Sequence, residues 1–196
     1  QVRPEREAEI QALVQQGRLL IGPWHILPDE FLVGPESHIR NLLQGERTAR
    51  RFGPKMQIGY IPDPFGHIGQ MPQILRGFGI EVACVQRGLD DQPCEFWWEA
   101  PDGSRVLMAY LRDGYGNAAN LPTANPEGFL AEVLRERDSL QAHASTRHLL
   151  LMHGTDHMLP PADTAAAIRQ ANAHAQDFTI LHSTLPAYIE AIRPLI

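Results

Sequence analysis

The chain alternates between stretches with a helical apolar period and short runs that are apolar throughout. From Arg3 to Gln16 a helix is predicted, with Ile10, Leu13 and Val14 as its stripe, Pro4 in its first turn and Gly17 at its C-terminal end. Leu19–Ile21 is a short apolar run stopped by Gly22-Pro23, which predicts a strand. A second helix is predicted over 35–51, with Ile39, Leu42 and Leu43 in its stripe. A strand at Met56–Tyr60 follows, then a helix over about 69–78, then an apolar strand at Val82–Val85. Trp97 and Trp98 lead into the Asp102-Gly103 turn signal and Val106–Leu111 leads out of it, the pattern of a hairpin. Helices are predicted at Pro126–Gln141, Ala162–Ala175 and Ser183–Ile192, with strands at His148–Met152 and Phe178–Leu181 between them. This alternation argues for an α/β fold with a mainly parallel sheet covered by helices. The loop over 112–125 is rich in Gly, Asn and Pro and long for a compact domain, as functional loops often are.

Composition narrows the function classes. At 196 residues, 43% hydrophobic and 20% charged, the chain has the make-up of an ordinary globular protein. A net charge of -6 and scattered arginines argue against a nucleic-acid partner. No apolar run approaches a membrane span, so no membrane partner is expected. Cys84 and Cys94 lack CxxC spacing, and Cys84 reads as a buried thiol. Nothing demands an oxidising compartment. No signal-like region follows Gln1, so a cytoplasmic location is expected, and the chain opens into a helix as if cut from something longer.

The chemistry concentrates at predicted strand ends. In a parallel sheet the C-terminal strand ends share one rim, where substrates bind. Asp29 and Glu30 follow the first predicted strand, and Asp63 follows the second. Gln86 and Arg87 follow the third, and His153, Asp156 and His157 follow the strand at His148–Met152. Pro62 and Pro64 flank Asp63, so its carboxylate should be held rather than loose. The same Pro-Asp-Pro-Phe-Gly segment also reads as a plain tight turn. Asp63 and Asp156, from different strands, form the minimum kit for glycoside hydrolysis. Arg87 would favour the ionised form of Asp63. The segment 153–157 also reads as a candidate zinc site, although its spacing matches no standard motif. His67 reads as a brace for the turn, Trp97 and Trp98 as cross-strand packing, and Asp29-Glu30 as a helix start or a solvated face.

Three blocks of this sequence resemble the glycoside hydrolase family 38 α-mannosidases of the bacterial kind. They are Met56–Phe78, the segment from Ile21 through Glu30 to Ser37, and Leu149–Pro161. The resemblance runs from Gln1 to about His157 and more weakly to the end. It implies the central part of an N-terminal catalytic domain, an incomplete α/β barrel, and retaining hydrolysis of α-mannoside oligosaccharides. It implies that Asp63 is both nucleophile and zinc ligand, that Asp156 is the acid/base, and that Phe65 lines the metal pocket. Arg87, Trp24, Asp29 and Tyr115 are then expected near the sugar. The implied cofactor is zinc or another divalent cation.

The sequence departs from the family in one respect. The family's early His-x-His-Trp-Asp motif is missing, and His174 and His182 lie in a segment unlike the block that supplies its later histidine. One zinc ligand of four is therefore expected here, with inactivity of the fragment alone. A barrel lacking its first strand exposes a sheet edge, so self-association is expected. Two other classes fit strand-end Asp and His residues: a metal-dependent polysaccharide deacetylase and a non-catalytic carbohydrate-binding module.

Overall fold

The computed structural model describes residues 3–196. They form two compact units: residues up to Asp90 with Trp97–Ala109, and Asp91–Phe96 with Tyr110–Ile196.

In the first unit a 3₁₀ turn at Pro4–Arg6 leads into α1 (Glu7–Gln15). Helix α2 (Pro35–Ala49) starts with a proline, whose missing N–H would have had no helical partner there. Its buried positions, His38, Leu42, Gly45 and Ala49, share one face. The predicted stripe is thereby rotated, and Leu43 is exposed. Gly45 is the reason. The main chain of 23–25 lies so close that a Cβ there would sit 2.0 Å from the Pro23 carbonyl oxygen.

Strand β1 (Gly59–Ile61) begins later than predicted and pairs in parallel with β2 (Val82–Val85), joining Ile61 to Val85 in register. Helix α3 (Met71–Gly77) makes the crossover that a parallel pair requires. All four residues of β2 are buried, its two valines contributing roughly 1.5–3 kcal/mol each. The predicted hairpin forms as β3 (Glu95–Glu99) and β4 (Arg105–Tyr110). Sheet order is β1-β2-β4-β3, so β2 and β4 are interior. Arg105 of β4 reaches Trp97 on the edge strand β3, its guanidinium carbon 5.1 Å from the ring centroid. The α/β class matches expectation, but the sheet is mixed rather than mainly parallel. Only a short connection links β3 to β4, and a neighbouring strand reached that way must run back antiparallel.

The second unit carries α4 (Pro126–Gln141), α5 (Thr164–His174) and α6 (Leu185–Ile192). Asn125 caps α4 by accepting from Gly128 N–H, and Thr184 caps α6 by accepting from Ala187 N–H. Phe129 and Val133 of α4 bury against Ala167 and Ala171 of α5, with Leu151, Phe178 and Ile180 packed around them.

Three predicted strands do not form. At Leu19–Ile21 the Ile21 carbonyl accepts from Met56 N–H at 2.8 Å, but no ladder follows. At His148–Met152 the side chain of Asn117 takes the place of a neighbour strand. Its Oδ1 accepts from Met152 N–H at 2.8 Å and its Nδ2 donates to Leu150 O at 3.4 Å. At Phe178–Leu181 the Asn172 amide accepts from Ile180 N–H at 2.8 Å and donates to Ile180 O at 2.9 Å. None of these segments contains a fully buried residue, and in the last two a side-chain amide bonds the main chain where a neighbouring strand would.

Both cysteines are free and buried, as expected of Cys84. Burial pushes the Cys94 thiol up to about 11 and raises Cys84 further. Among the described residues no helix is long and apolar enough to cross a membrane.

Candidate active site

Pairing of Ile61 with Val85 aligns the ends of β1 and β2. Asp63 and Arg87 follow those paired residues by the same interval, so the sheet register brings them together. Arg87 Nε and Nη2 donate to Asp63 Oδ1 at 3.0 and 2.6 Å, and Nε also donates to the Asp63 carbonyl at 3.0 Å. Both side chains remain partly exposed, at 43% for Asp63 and 38% for Arg87. Both side-chain bonds end on Oδ1 rather than Oδ2. Phe65 is largely exposed and carries the Arg87 guanidinium carbon 4.5 Å above its ring.

The turn after Asp63 is gripped from behind. Glu30 is almost wholly buried, and its Oε2 accepts from Ile68 N–H at 2.8 Å. Its Oε1 lies 2.7 Å from His67 Nδ1. A carboxylate offers only acceptors, so Nδ1 is the protonated ring nitrogen. The bracing role expected of His67 is therefore present. The reading of Asp29-Glu30 as a helix start or solvated face is corrected for Glu30, which points inward. The flanking residues carry no sign of this, since Ile26, Leu27, Phe31, Leu32 and Val33 on either side stay exposed while Glu30 turns inward.

Trp24 is half-buried, and its Nε1 donates to Tyr60 O at 3.1 Å, so it backs β1. Asp29 is also half-buried, and its carbonyl closes a turn with Leu32 N–H at 3.1 Å. Asn41 of α2 fastens the same loop, accepting from His25 and Ile26 N–H and donating to Ile26 O at 2.6 Å.

In the second unit Asp156 is exposed at the end of the segment that Asn117 holds. Tyr115 O–H donates to Asp156 Oδ2 at 3.0 Å. The loop carrying Tyr115 lies tight against 154–155, since a Cβ on Gly116 would meet Thr155 Cβ at 2.9 Å and the Gly154 carbonyl at 3.0 Å. His157 adopts φ of 59°, a left-handed conformation uncommon outside glycine, and this turns the chain sharply beside Asp156. Asn117 and Gly116 escaped the sequence reading because their partners lie far away along the chain.

The zinc reading of 153–157 finds no support. Among the described residues no three His, Cys, Asp or Glu side chains gather as metal ligands. Burial lowers the His153 pKa, and His182 lowers it further. Asp63 alone, with one oxygen committed to a guanidinium, does not make a zinc site, since catalytic sites normally use three protein ligands. The described residues therefore do not fit a complete zinc site.

Comparison with known proteins agrees with this picture. Residues 1–194 match the family model described as "Glycosyl hydrolases family 38 N-terminal domain". A "Putative mannosylglycerate hydrolase" of Halalkalibacterium halodurans is 41% identical over 207 residues, which cover 98% of this chain and 23% of that protein. Alpha-mannosidase 2C1 of Homo sapiens is 31% identical over 150 residues, covering 72% of this chain and 14% of that protein. The crystal structure of an alpha-mannosidase from Enterococcus faecalis V583 superposes with a TM-score of 0.94 at 34% identity, covering 98% of this chain and 22% of that one. The chain thus spans less than a quarter of the length of these relatives.

Proposed function

The chain belongs to glycosyl hydrolase family 38, and from that membership we propose that the protein carrying it hydrolyses terminal α-mannosides with retention of configuration. Asp63 Oδ2 attacks the anomeric carbon and forms a glycosyl ester while the bond to the leaving oxygen breaks. Asp156 gives its proton to that oxygen, then takes one from the water that cleaves the ester. Arg87 fixes the carboxylate through Oδ1, and Tyr115 orients Asp156. Trp24, Asp29 and Phe65 belong to the surroundings of the sugar. The observation that carries this reading is the Asp63–Arg87 pair at two aligned strand ends.

The finer parts of the reading rest on the family. Closure of the sheet into an α/β barrel, and zinc bound by Asp63, both need residues outside these 196. A polypeptide limited to these residues is inactive and self-associates, the exposed apolar residues Ile26, Leu27, Phe31, Leu32 and Val33 offering the contact. Sedimentation of that 21.9 kDa polypeptide tests this, and a clean monomer at high concentration rejects it.

The test of function uses the whole protein and an aryl α-mannoside. Asp63→Asn is expected to lower kcat about 10³-fold or more, and NMR of the first product should show the α-anomer. Full activity in the variant rejects the nucleophile assignment. Acetate release without glycosidic cleavage would identify a deacetylase, and sugar binding without turnover a binding module. The name of the 41% relative makes a mannoside with a glycerate aglycone the second substrate to assay.

A further inference from the structure

We propose that Glu30 is a positioning residue for Asp63, an inference that rests on reading Asp63 as the nucleophile. Its carboxylate is fully buried, at 0% side-chain exposure, and the His67 side chain is nearly so, at 8%. Both of its hydrogen bonds go to the turn that follows Asp63, one to the His67 ring and one to the Ile68 amide. The turn is thus held at two points: Arg87 grips Asp63 at its start, and Glu30 grips His67 and Ile68 at its end.

The intervening residues leave little slack. Gly66 has φ of +125°, and a Cβ there would lie 2.4 Å from the Phe31 ring. Phe31 follows Glu30 directly, so the residue pair clamps the turn from inside and outside. His67 also meets Trp98 edge-on, with ring centroids 5.9 Å apart. His67 Nε2 is buried with no hydrogen-bond partner among the described residues, so the Glu30 contact is its ring's polar anchor.

A buried carboxylate is costly to keep unless its bonds do something. Here they fix the segment from which Asp63 projects, and a nucleophile displaced by about 1 Å loses on the order of 10²-fold in rate.

The test is made in the whole protein with an aryl α-mannoside. Glu30→Ala should lower kcat about 10²-fold with KM changed by less than about threefold. Glu30→Gln should recover most of that loss. Its oxygen can still accept from Ile68 N–H, and its amide can donate to His67 Nδ1 once the ring takes the other tautomer. Amide hydrogen exchange should quicken at 65–68 in Glu30→Ala while β2 stays protected. If Glu30→Ala does not fold, His67→Asn and His67→Phe replace it. Asn keeps a donor for Glu30 and should stay within about threefold of wild type, while Phe should fall at least about tenfold. Unchanged kcat in Glu30→Ala, or in His67→Phe, overturns the proposal, as does Glu30→Gln being no better than Glu30→Ala. Asp63→Asn runs alongside: an assay that it silences but Glu30→Ala does not rejects the brace and leaves the nucleophile standing. If Asp63→Asn is fully active, the nucleophile reading fails, and the exchange data still judge the brace.

Discussion

Val82–Val85 and Phe178–Leu181, one in each unit, are alike as sequence: short, largely apolar runs that each follow a helix. Val82–Val85 is a strand with a parallel neighbour, buried at every position. The Phe178–Leu181 segment packs Phe178 and Ile180 onto α4 and α5, but its main chain meets the amide of Asn172. His148–Met152 repeats that arrangement with Asn117. An apolar run alone therefore does not make a strand, because a ladder also needs a neighbour of matching length and register. The difference bears on the chemistry. Asp63 projects from main chain continuous with a ladder and a buried brace, whereas Asp156 projects from a segment held by the Asn117 amide, one main-chain bond from Ala118 N–H to Met152 O and the Tyr115 hydroxyl.

The largest effect on stability is expected where main chain meets helix without a side chain between. Gly45→Ala puts a Cβ against the Pro23 carbonyl oxygen and should cost about 3 kcal/mol in urea unfolding. A silent substitution would mean that α2 is not tightly packed on the main chain of 23–25. Next comes the amide clamp itself. Asn172→Ala removes both bonds to Ile180 and should cost about 2 kcal/mol, with faster exchange of the Ile180 amide. Unchanged exchange would show that packing alone holds the segment and would erase the contrast between ladder and clamp.

Asn125→Ala deletes only a helix cap and should cost about 1 kcal/mol, less than the loss of a clamp. The smallest expected effect is on pH dependence. The His153 pKa in the folded chain is lowered from its ordinary 6.5 by burial and by His182. The unfolded chain then takes up the proton first as pH falls, so stability present above about pH 6.5 declines below it. His153→Gln should flatten that decline in pH-dependent thermal melts, and an identical profile would remove His153 as its source.

Much of this molecule was readable in one dimension. Local rules place α2, α4, the β3–β4 hairpin and β2 close to their observed bounds, because period, prolines and turn dipeptides act between near neighbours along the chain. The Pro-Asp-Pro-Phe-Gly-His run marked Asp63, and the family blocks made it a nucleophile candidate. Contacts between residues distant in sequence were not readable. Whether an apolar run meets a strand or an asparagine depends on what the fold sets beside it, as Asn117 and Asn172 show. Glu30 read as a surface acid until the turn bearing His67 and Ile68 closed over it. A side chain's type is written in the chain, but its partners, and hence its cost or use when buried, follow from three-dimensional proximity.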